Sequence, residues 1–406
     1  MQNNILILTY WSFSDALIQA YTLPYVRIIS KQLSSSSSIF LVTLEKDNSH
    51  LSVRSKNEIK DALKKEGIVW LPFSYKPFGV SAFFLWLKIS TILIRIIILN
   101  KISTIHSWCT PAGAIGYFLA VTLRRKLILD SFEPHAELMV ENGTWSRNGA
   151  AFKLLFWLER KQSERANVAI LVTEGMRGYA LKKYMKLPSK IFVKPACVDI
   201  EKFKPAMRKD PFLLKELQLT DKVVCVYAGK FGGIYLMSEV FDFFKAAHQH
   251  WGSKFAVLLL TSHTVDDIKK YCQQSSLDFS VVSIRFVPHN EVPVYMGLGD
   301  FAINPMKPIP TRRFSAPIKD GEYWAMGLPV VIPKDISDDS EIIEKYNAGA
   351  VLDDLSLPSY QKAIKKIDLL LAEHGEQLSD RIRSLAVRYR NFSIAEDIYK
   401  KIYQKD

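Results

Sequence analysis

The segment at residues 315–332 reads SAPIKDGEYWAMGLPVVI and compresses a loop, a helix and a buried strand into one stretch. The Gly and Pro before residues 330–332 commonly end a helix, so this apolar run is predicted to re-enter a sheet. Backbone N–H groups in the loop at 315–319 and at the helix start favour a phosphate. Glu322, one turn into the helix, can accept hydrogen bonds from a sugar diol. Because a nucleotide offers both groups, the segment predicts a nucleotide site; the alternative is a solvated helix acid in an ordinary α/β domain.

A second phosphate candidate lies at residues 229–233, which read GKFGG and directly follow an apolar run. Gly229 and Gly232 let the backbone approach a ligand closely, and Lys230 brings a full positive charge. Ligands of parallel sheets bind at the carboxyl ends of the strands, which is the position of this turn. We therefore predict that both segments contribute to one site.

Short apolar runs alternate with longer helical patterns along the whole chain. This alternation is typical of βα units on parallel sheets, and two series of strands predict an α/β protein with two Rossmann-like, doubly wound domains. The strand candidates are residues 5–9, 39–43, 68–71, 104–107, 126–130, 168–173 and 190–193, followed by residues 222–228, 255–261, 281–286, 300–304, 330–332 and 350–352.

The domain boundary is predicted near residues 195–205, where two prolines and a charged spacer interrupt the periodicity. Residues 1–195 then form the N-terminal domain and residues 196–385 the C-terminal domain. Residues 386–406 continue a helical pattern that ends in a charged tail. A length of 406 residues suits two domains of ordinary size.

The typed positions Ser-x-Pro-x-Lys-x-x-Glu-Tyr-x-Ala-x-Gly-x-Pro-Val in residues 315–330 resemble the donor-nucleotide segment of GT-B fold glycosyltransferases. The resemblance is to the retaining family 4 (glycosyl transferases group 1) type. It implies two domains that face a cleft, with the C-terminal helix packing back on the N-terminal domain. It also implies that Glu322 binds the nucleotide ribose. It further implies that the loop residues around the diphosphate and the sugar are Ser315, Ala316, Pro317 and Lys319.

Two departures from the family pattern bear on catalysis. Family 4 enzymes usually carry an Arg where this chain has Lys230, and a second Lys where it has Ile234-Tyr235; in the family both cations stabilise the leaving diphosphate. We hypothesise that Arg312, Arg313 or Lys319 supplies the missing cation. The family also commonly has an acid at the position of Phe314, so the donor sugar and the stereochemical outcome do not follow from the sequence.

The first half offers a catalytic candidate at residues 129–137, which read LDSFEPHAE after a strand. His135 is the one residue there that can change protonation near neutral pH. Retaining family 4 enzymes often place a His in the corresponding loop, so the resemblance implies a catalytic role for His135; the alternative is a His that only braces the loop. Glu133 and Glu137 flank it and could orient it or bind an acceptor hydroxyl.

The loop after the first strand carries Tyr10, Trp11 and Asp15, which are acceptor-side candidates. The two aromatic rings could stack on a sugar ring or a lipid headgroup, and they could equally serve packing.

Composition indicates a folded protein, with 48% hydrophobic and 23% charged residues. The four cysteines lie far apart without metal-ligand spacing, so neither a zinc site nor a disulfide framework is supported. The N-terminus has no basic leader before its short apolar run. Together these features predict a reducing, cytoplasmic location.

Charge is divided unevenly between the two halves. Residues 1–195 hold 26 Lys and Arg against 13 Asp and Glu, whereas residues 196–406 hold 28 of each kind, so the net charge of +13 lies in the first half. A basic half predicts a negatively charged partner, either anionic lipid headgroups or nucleic acid; a solvated basic face without a partner is the alternative. Nucleic acid explains none of the second-half motif, and no P-loop or RNP-like pattern is present.

Residues 78–100 form the one candidate segment for membrane contact. A transmembrane span is rejected because Lys88 and Arg95 would lie near mid-bilayer at a cost of ~2.5 to 3.5 kcal/mol each. An amphipathic helix is predicted instead, packed within the domain or lying in a membrane interface. The residues available for burial are Phe83, Phe84, Leu85, Trp86, Ile92, Leu93 and Ile96 to Leu99.

These features predict a glycosyltransferase that moves a sugar from a nucleotide-diphosphate sugar, UDP- or GDP-linked, to a hydroxyl of a surface glycan, polysaccharide or lipid-linked acceptor. The resemblance implies retention and no metal or other cofactor, and the chain has no Asp-x-Asp motif. Peripheral attachment at the inner face of the membrane would suit the basic half. The alternatives are a sugar-nucleotide epimerase of the same fold and a non-catalytic nucleotide-sugar-binding scaffold.

Overall fold

A computed structural model describes residues 3–15, 17–46, 51–77, 79–373 and 375–404. The chain divides into two compact units. The first unit comprises Met1–Pro195 with Ser393–Asp406, and the second comprises Ala196–Phe392. Each unit is built around one parallel sheet.

The strands contribute a large part of both hydrophobic cores. Those of the first unit are β1 (Ile5–Leu8), β2 (Ile39–Glu45), β3 (Ile68–Ser74), β4 (Thr104–Trp108), β5 (Lys126–Phe132), β6 (Val168–Leu171) and β7 (Lys190–Val193). Those of the second unit are β8 (Val223–Ala228), β9 (Phe255–Leu260), β10 (Val282–Arg285), β11 (Phe301–Ile303), β12 (Val330–Pro333) and β13 (Gly349–Leu352).

Helices connect and cover the strands. They are α1 (Leu23–Gln32), α2 (Val53–Lys65), α3 (Val80–Leu99), α4 (Thr110–Leu123), α5 (His135–Glu141), α6 (Ala150–Arg165), α7 (Gly175–Tyr184), α8 (Pro211–Glu216), α9 (Ser238–Trp251), α10 (Val265–Ser275), α11 (Val292–Met296), α12 (Ile318–Ala325), α13 (Asp339–Lys345), α14 (Leu357–Leu371), α15 (Gly375–Tyr389) and α16 (Phe392–Tyr403). A π-helix at Leu17–Thr22 leads into α1, and short 3₁₀ turns occur at Pro205–Met207, Gly252–Lys254, Phe279–Val281 and Pro310–Phe314.

Both sheets are doubly wound. The strand order is β3-β2-β1-β4-β5-β6-β7 in the first unit and β10-β9-β8-β11-β12-β13 in the second. The winding direction therefore reverses between β1 and β4, and again between β8 and β11. Because such crossovers are right-handed, α1 and α2 cover one face of the first sheet, and α3, α4, α6 and α7 cover the other.

The predicted α/β class with parallel sheets is confirmed, and each predicted strand is present with its ends within three residues of the prediction. β1 and β9 are buried along their whole length, as expected for strands covered on both faces. β2 and β3 run beyond their predicted ends and pair with each other up to Glu45 and Ser74. The added residues, 44–45 in β2 and 72–74 in β3, continue these strands because the pairing of the two strands persists beyond the predicted ends.

α16 packs onto the first unit through buried polar contacts. Tyr399 donates a 2.7 Å hydrogen bond to the Asp130 carboxylate, and the Tyr403 hydroxyl lies 2.6 Å from Nδ1 of His106. The buried Lys194 ammonium lies 3.2 Å from the same Asp130 carboxylate. Burial alone would raise the pKa of Asp130, but Lys194, His106 and Tyr399 lower it to about 2.

α3 departs from the predicted pattern of burial. The prediction made Phe84 and residues 96–99 available for packing, but Phe84, Ile98 and Leu99 are exposed, and the buried face includes Ile89, Leu93 and Ile97. Phe78 and the side chain of Phe83 lie outside the described residues. Within the described part of the chain, α3 alone is long and apolar enough to cross a bilayer, a test that buried helices of soluble proteins also pass.

Candidate functional site

The second unit carries a set of polar loops where its sheet reverses direction. The loops that follow β8 and β11 begin at neighbouring carboxyl ends, and the loop after β9 begins beside them. In doubly wound sheets this switch point is where ligands bind, because the flanking loops diverge and leave a crevice. Both segments singled out from the sequence reach this point.

The loop after β8 approaches α12 very closely at Gly229. A Cβ atom at this position would lie 2.8 Å from Cε of Lys319 and 2.8 Å from the Tyr227 hydroxyl, so a larger residue would displace one of them. Gly232 and Gly233 follow with φ of +80° and +61°, in the left-handed region that favours glycine. The glycines therefore allow the loop to turn tightly beside the Lys319 side chain.

Lys319 joins the two predicted segments. Its ammonium group donates a 3.2 Å hydrogen bond to the Tyr235 hydroxyl and lies 4.8 Å from the centre of the Tyr235 ring. Tyr235 stands where the family pattern has a second cation, and the structure brings the Lys319 charge to that residue. Lys319, one of the three cations proposed as substitutes, thus contacts the loop after β8.

The two arginines have other surroundings. Arg312 is buried, and its backbone carbonyl accepts a hydrogen bond from the Ser337 amide. Arg313 is exposed and forms ion pairs with Glu341 at 2.8 Å and Asp335 at 3.8 Å. Its charge is thus directed toward acids that follow β12.

Lys230 is exposed, and its own backbone carbonyl accepts a 2.6 Å hydrogen bond from the Tyr227 hydroxyl. The next amide, of Phe231, donates to Nε2 of His263 at 3.0 Å, and the two rings are stacked. His263 comes from the loop after β9 and was not predicted. Its imidazole fixes the turn that presents Lys230.

α12 begins without a side-chain cap. Its N-cap is Pro317, which is buried, and no side chain of the described residues accepts a hydrogen bond from the first-turn amides. Ser315 and Ala316, half-buried, lead into this turn. Uncapped amides at a helix start favour an anion, which agrees with the predicted phosphate loop.

Glu322 lies one turn further along α12. Burial raises the pKa of its carboxyl group to about 7, and the charges of Lys319 and Lys202 oppose this shift. Among the described residues its carboxylate makes no hydrogen bond to the protein. Lys202, absent from the prediction, also lies 2.8 Å from Nδ1 of His289. The carboxylate is therefore free to accept hydrogen bonds from a ligand.

A buried polar network supports α12 from below. Asp320 accepts a 2.7 Å hydrogen bond from the Asn304 amide, and Arg390 is ion-paired with Asp339 beside it. Burial and the Asp339 charge raise the pKa of Asp320 well above its usual range. The network ties the helix to the loop after β11 and to the residues before α16.

The first unit has its own switch point between β1 and β4. Tyr10, just after β1, stacks on Trp86 with ring centres 6.3 Å apart, and Trp11 is half-buried. Asp15 accepts a 2.9 Å hydrogen bond from the Leu17 amide, so its carboxylate caps the following π-helix. Of these three acceptor-side candidates, Tyr10 and Asp15 thus have contacts that serve packing and capping.

His135 begins α5, next to the carboxyl end of β5. Its Nδ1 has no hydrogen-bond partner among the described residues and lies 3.9 Å from the Glu133 carboxylate. Glu159, buried and not predicted, accepts a 2.8 Å hydrogen bond from the Ala136 amide. Glu137 forms ion pairs with Lys183 at 3.3 Å and with Arg147. The loop thus combines a half-buried His with nearby acids. The carboxylate of Glu137 is occupied by its ion pairs with Lys183 and Arg147.

Solved structures share this architecture over nearly the whole chain. Sucrose-phosphate synthase from Thermosynechococcus elongatus gives a TM-score of 0.71 at 15% identity, covering 99% of this chain and 98% of that one. HepE from Anabaena, in complex with UDP, gives a TM-score of 0.69 at 14% identity, with 99% of each chain covered. WaaG, a glycosyltransferase involved in lipopolysaccharide biosynthesis, gives 0.69 at 11% identity, covering 99% of this chain and 100% of that one.

The likeness confirms the predicted fold: the chain has the GT-B fold, and its structural neighbours are glycosyltransferases. No protein-family model and no curated protein matches the chain.

Proposed function

We propose that this protein is a glycosyltransferase that transfers a sugar from a nucleotide-diphosphate sugar to an acceptor hydroxyl. The main support for the proposal is the contact between Lys319 and Tyr235 at the switch point of the second unit. This contact holds a cation between the Gly-rich turn and the uncapped start of α12. A diphosphate is the ligand that such a combination of cation and amides would bind.

Glu322 supplies the second half of donor recognition in this proposal. Its carboxylate would accept hydrogen bonds from the ribose hydroxyls, while Lys319, Lys230 and the α12 amides would hold the diphosphate. Fixed cations and amides of this kind stabilise the negative charge that develops on the leaving diphosphate. Transfer with retention and without a metal ion is part of the proposal.

The first unit would provide the acceptor side. His135, whose Nδ1 has no hydrogen-bond partner among the described residues and lies 3.9 Å from the Glu133 carboxylate, would contact the acceptor hydroxyl. Structures of HepE have been solved with UDP and with UDP-glucose, so uracil is the first base to test. A glycan or lipid-linked acceptor and a cytoplasmic location are part of the same proposal.

The donor is tested first by thermal shift with UDP-, GDP- and ADP-glucose. We expect one base to raise the melting temperature more than the others, because stabilisation by a ligand follows its occupancy. The absence of any shift at millimolar nucleotide sugar would contradict the proposal.

The reaction is then tested by following nucleoside diphosphate release with and without glycan and lipid-linked acceptors. The proposal requires release that depends on acceptor and a product that retains the donor's anomeric configuration. Isomerisation of the donor without acceptor would favour an epimerase. Binding without release from any donor and acceptor would favour a non-catalytic scaffold.

A further inference from the structure

Four neighbouring helices of the first unit expose large apolar side chains on one face of its sheet. We define the four-helix face as the outward residues of α3, α4, α6 and α7, where α4 contacts both α3 and α6, and α6 contacts α7. Each helix contributes at least one exposed apolar side chain. Examples are Leu87, Ile98, Phe118, Trp157 and Leu181.

The opposite face of the same sheet provides an internal comparison. It is covered by α1 and α2, with α16 packed beside α1, and Val53 is the only exposed large apolar side chain of these three helices among the described residues. α2 is nevertheless rich in charge and carries Lys60 together with Arg54, which is paired with Glu58. Basic charge is therefore present on both faces, whereas exposed apolar surface is concentrated on the four-helix face.

Basic residues are interleaved with the apolar side chains of the four-helix face. Exposed examples are Lys88 and Arg95 on α3, Lys153 on α6 and Lys182 on α7. These helices contain two acids, of which Glu159 is fully buried and Glu164 is paired with Arg160 and Lys161. Among the described residues the face thus exposes no unpaired acid, and its charge complements an anionic surface.

We propose that the four-helix face binds the surface of an anionic lipid bilayer. Apolar side chains would enter the headgroup region while the Lys and Arg side chains pair with anionic headgroups. Trp157 is half-exposed at 49% and is the kind of amphipathic side chain enriched at membrane interfaces. The proposal is independent of the transferase activity proposed above.

α3 lies on the membrane rather than crossing it in this arrangement. It connects the parallel strands β3 and β4, and its inner residues Ile89, Leu93 and Ile97 are buried in the unit. Removing it from the sheet would expose that core. Its 20 residues therefore present one apolar and basic side to the lipid while the other side remains packed.

Charge argues against a second copy of the chain as the occupant of the face, and the exposed apolar side chains argue against nucleic acid. A second copy of the chain would bring the same basic residues against their equivalents, because an isologous interface pairs a patch with itself. Nucleic acid would pair with the charges but would leave apolar side chains such as Phe118 and Leu181 without an apolar partner. A bilayer accommodates both kinds of side chain.

The test is vesicle flotation of the full chain with phosphatidylcholine vesicles that contain or lack phosphatidylglycerol, at low and high salt. We expect binding to the anionic vesicles, reduced by salt. L87S/W157S and K88E/R95E should each lower the partition coefficient by more than about tenfold. Two matched controls, F286S in the second unit and R54E/K60E on α2, should bind like the wild type.

Circular dichroism and thermal melting confirm that each variant is folded, and wild-type tryptophan emission provides a readout that needs no variant. We expect a blue shift on adding anionic vesicles that is lost in W157F. The proposal is overturned if the wild type does not float with anionic vesicles, or if R54E/K60E lowers binding as much as K88E/R95E. It is also overturned if sedimentation shows that L87S/W157S dissociates a wild-type dimer while vesicle binding is unchanged.

Discussion

Lys319 is the residue on which the proposed donor site depends most, because its ammonium group contacts Tyr235 in the loop after β8. Its position could not be predicted, since Tyr235 is 84 residues away and a sequence pattern does not report such contacts. The position of Glu322 one turn into a helix was predictable because it follows from local spacing. The support from His263 and Lys202 could not be predicted, because His263 comes from the loop after β9 and Lys202 from the segment between β7 and α8.

The substitution K319M tests the cation directly. We expect nucleoside diphosphate affinity to fall by about 10- to 100-fold, because a hydrogen bond to a charged group contributes about 1.5–3 kcal/mol. R313M is the matched control and should change affinity by less than about twofold, because its exposed ion pairs face Glu341 and Asp335. Isothermal titration with UDP and GDP measures both. Equal losses in the two variants would contradict the assignment.

We expect Glu322 to make donor binding depend on pH. Its pKa is raised to about 7 by burial, and a bound diol would favour the ionised form that accepts hydrogen bonds. The apparent Kd of a nucleotide sugar should therefore be constant above about pH 7 and rise toward about tenfold per pH unit below it.

A nucleotide sugar is the ligand to use for this titration, because its diphosphate is esterified at both ends and does not titrate in this range. E322Q should bind more weakly and without this pH dependence. A wild-type Kd that is flat from pH 5 to pH 8 would rule out the carboxylate as a ribose ligand.

At the scale of elements, the strands were predictable and the exposed face of α3 was not. A parallel strand covered on both faces is a continuous apolar run, so β1, β9 and β12 could be recognised from composition alone. The hydrophobicity of α3 does not reveal which side packs, because apolar residues occur all round it. Only the fold shows that Ile89 is buried while Leu87 is exposed.

α16 provides a prediction of its own, since its attachment depends on buried hydrogen bonds to Asp130 and His106. Y399F removes the donor to the Asp130 carboxylate and should lower the free energy of unfolding by about 1.5–3 kcal/mol. Y346F removes a surface hydroxyl paired with Tyr389 and should change the free energy of unfolding by less than about 0.5 kcal/mol. Urea denaturation measures both, and equal effects would show that α16 is held by apolar packing instead.

At the scale of the whole molecule, buried acids couple stability to pH. Burial raises the pKa of Glu159 to about 8, so the folded chain keeps a proton that the unfolded chain loses near pH 4.5. Because the unfolded state then binds fewer protons, stability should fall as pH rises from about 4.5 to 8, by up to about 1.4 kcal/mol per pH unit from this group.

E159Q should reduce this slope while keeping the contacts to Ala136 and Tyr184. Urea denaturation at pH 5, 6.5 and 8 measures the slope. E159Q should be close to the wild type at pH 5 and more stable at pH 8. Parallel curves for the two proteins would show that Glu159 is ionised in the folded state.

The two doubly wound α/β units could thus be predicted from periodicity, and the GT-B fold from the family resemblance of residues 315–330. The donor role of that segment remains a proposal. The acceptor-side candidates were harder to predict. Glu137 pairs with Lys183, 46 residues away, and such a contact leaves no local pattern. Asp15 makes a local contact, but it caps a π-helix that was not predicted.

The most direct test of the central claim is a crystal structure of the full chain with UDP bound. We expect the ribose hydroxyls within hydrogen-bond distance of the Glu322 carboxylate, and the diphosphate between Nζ of Lys319 and the first-turn amides of α12. If the nucleotide were bound elsewhere, without contact to Glu322 or Lys319, the proposed donor site would be wrong.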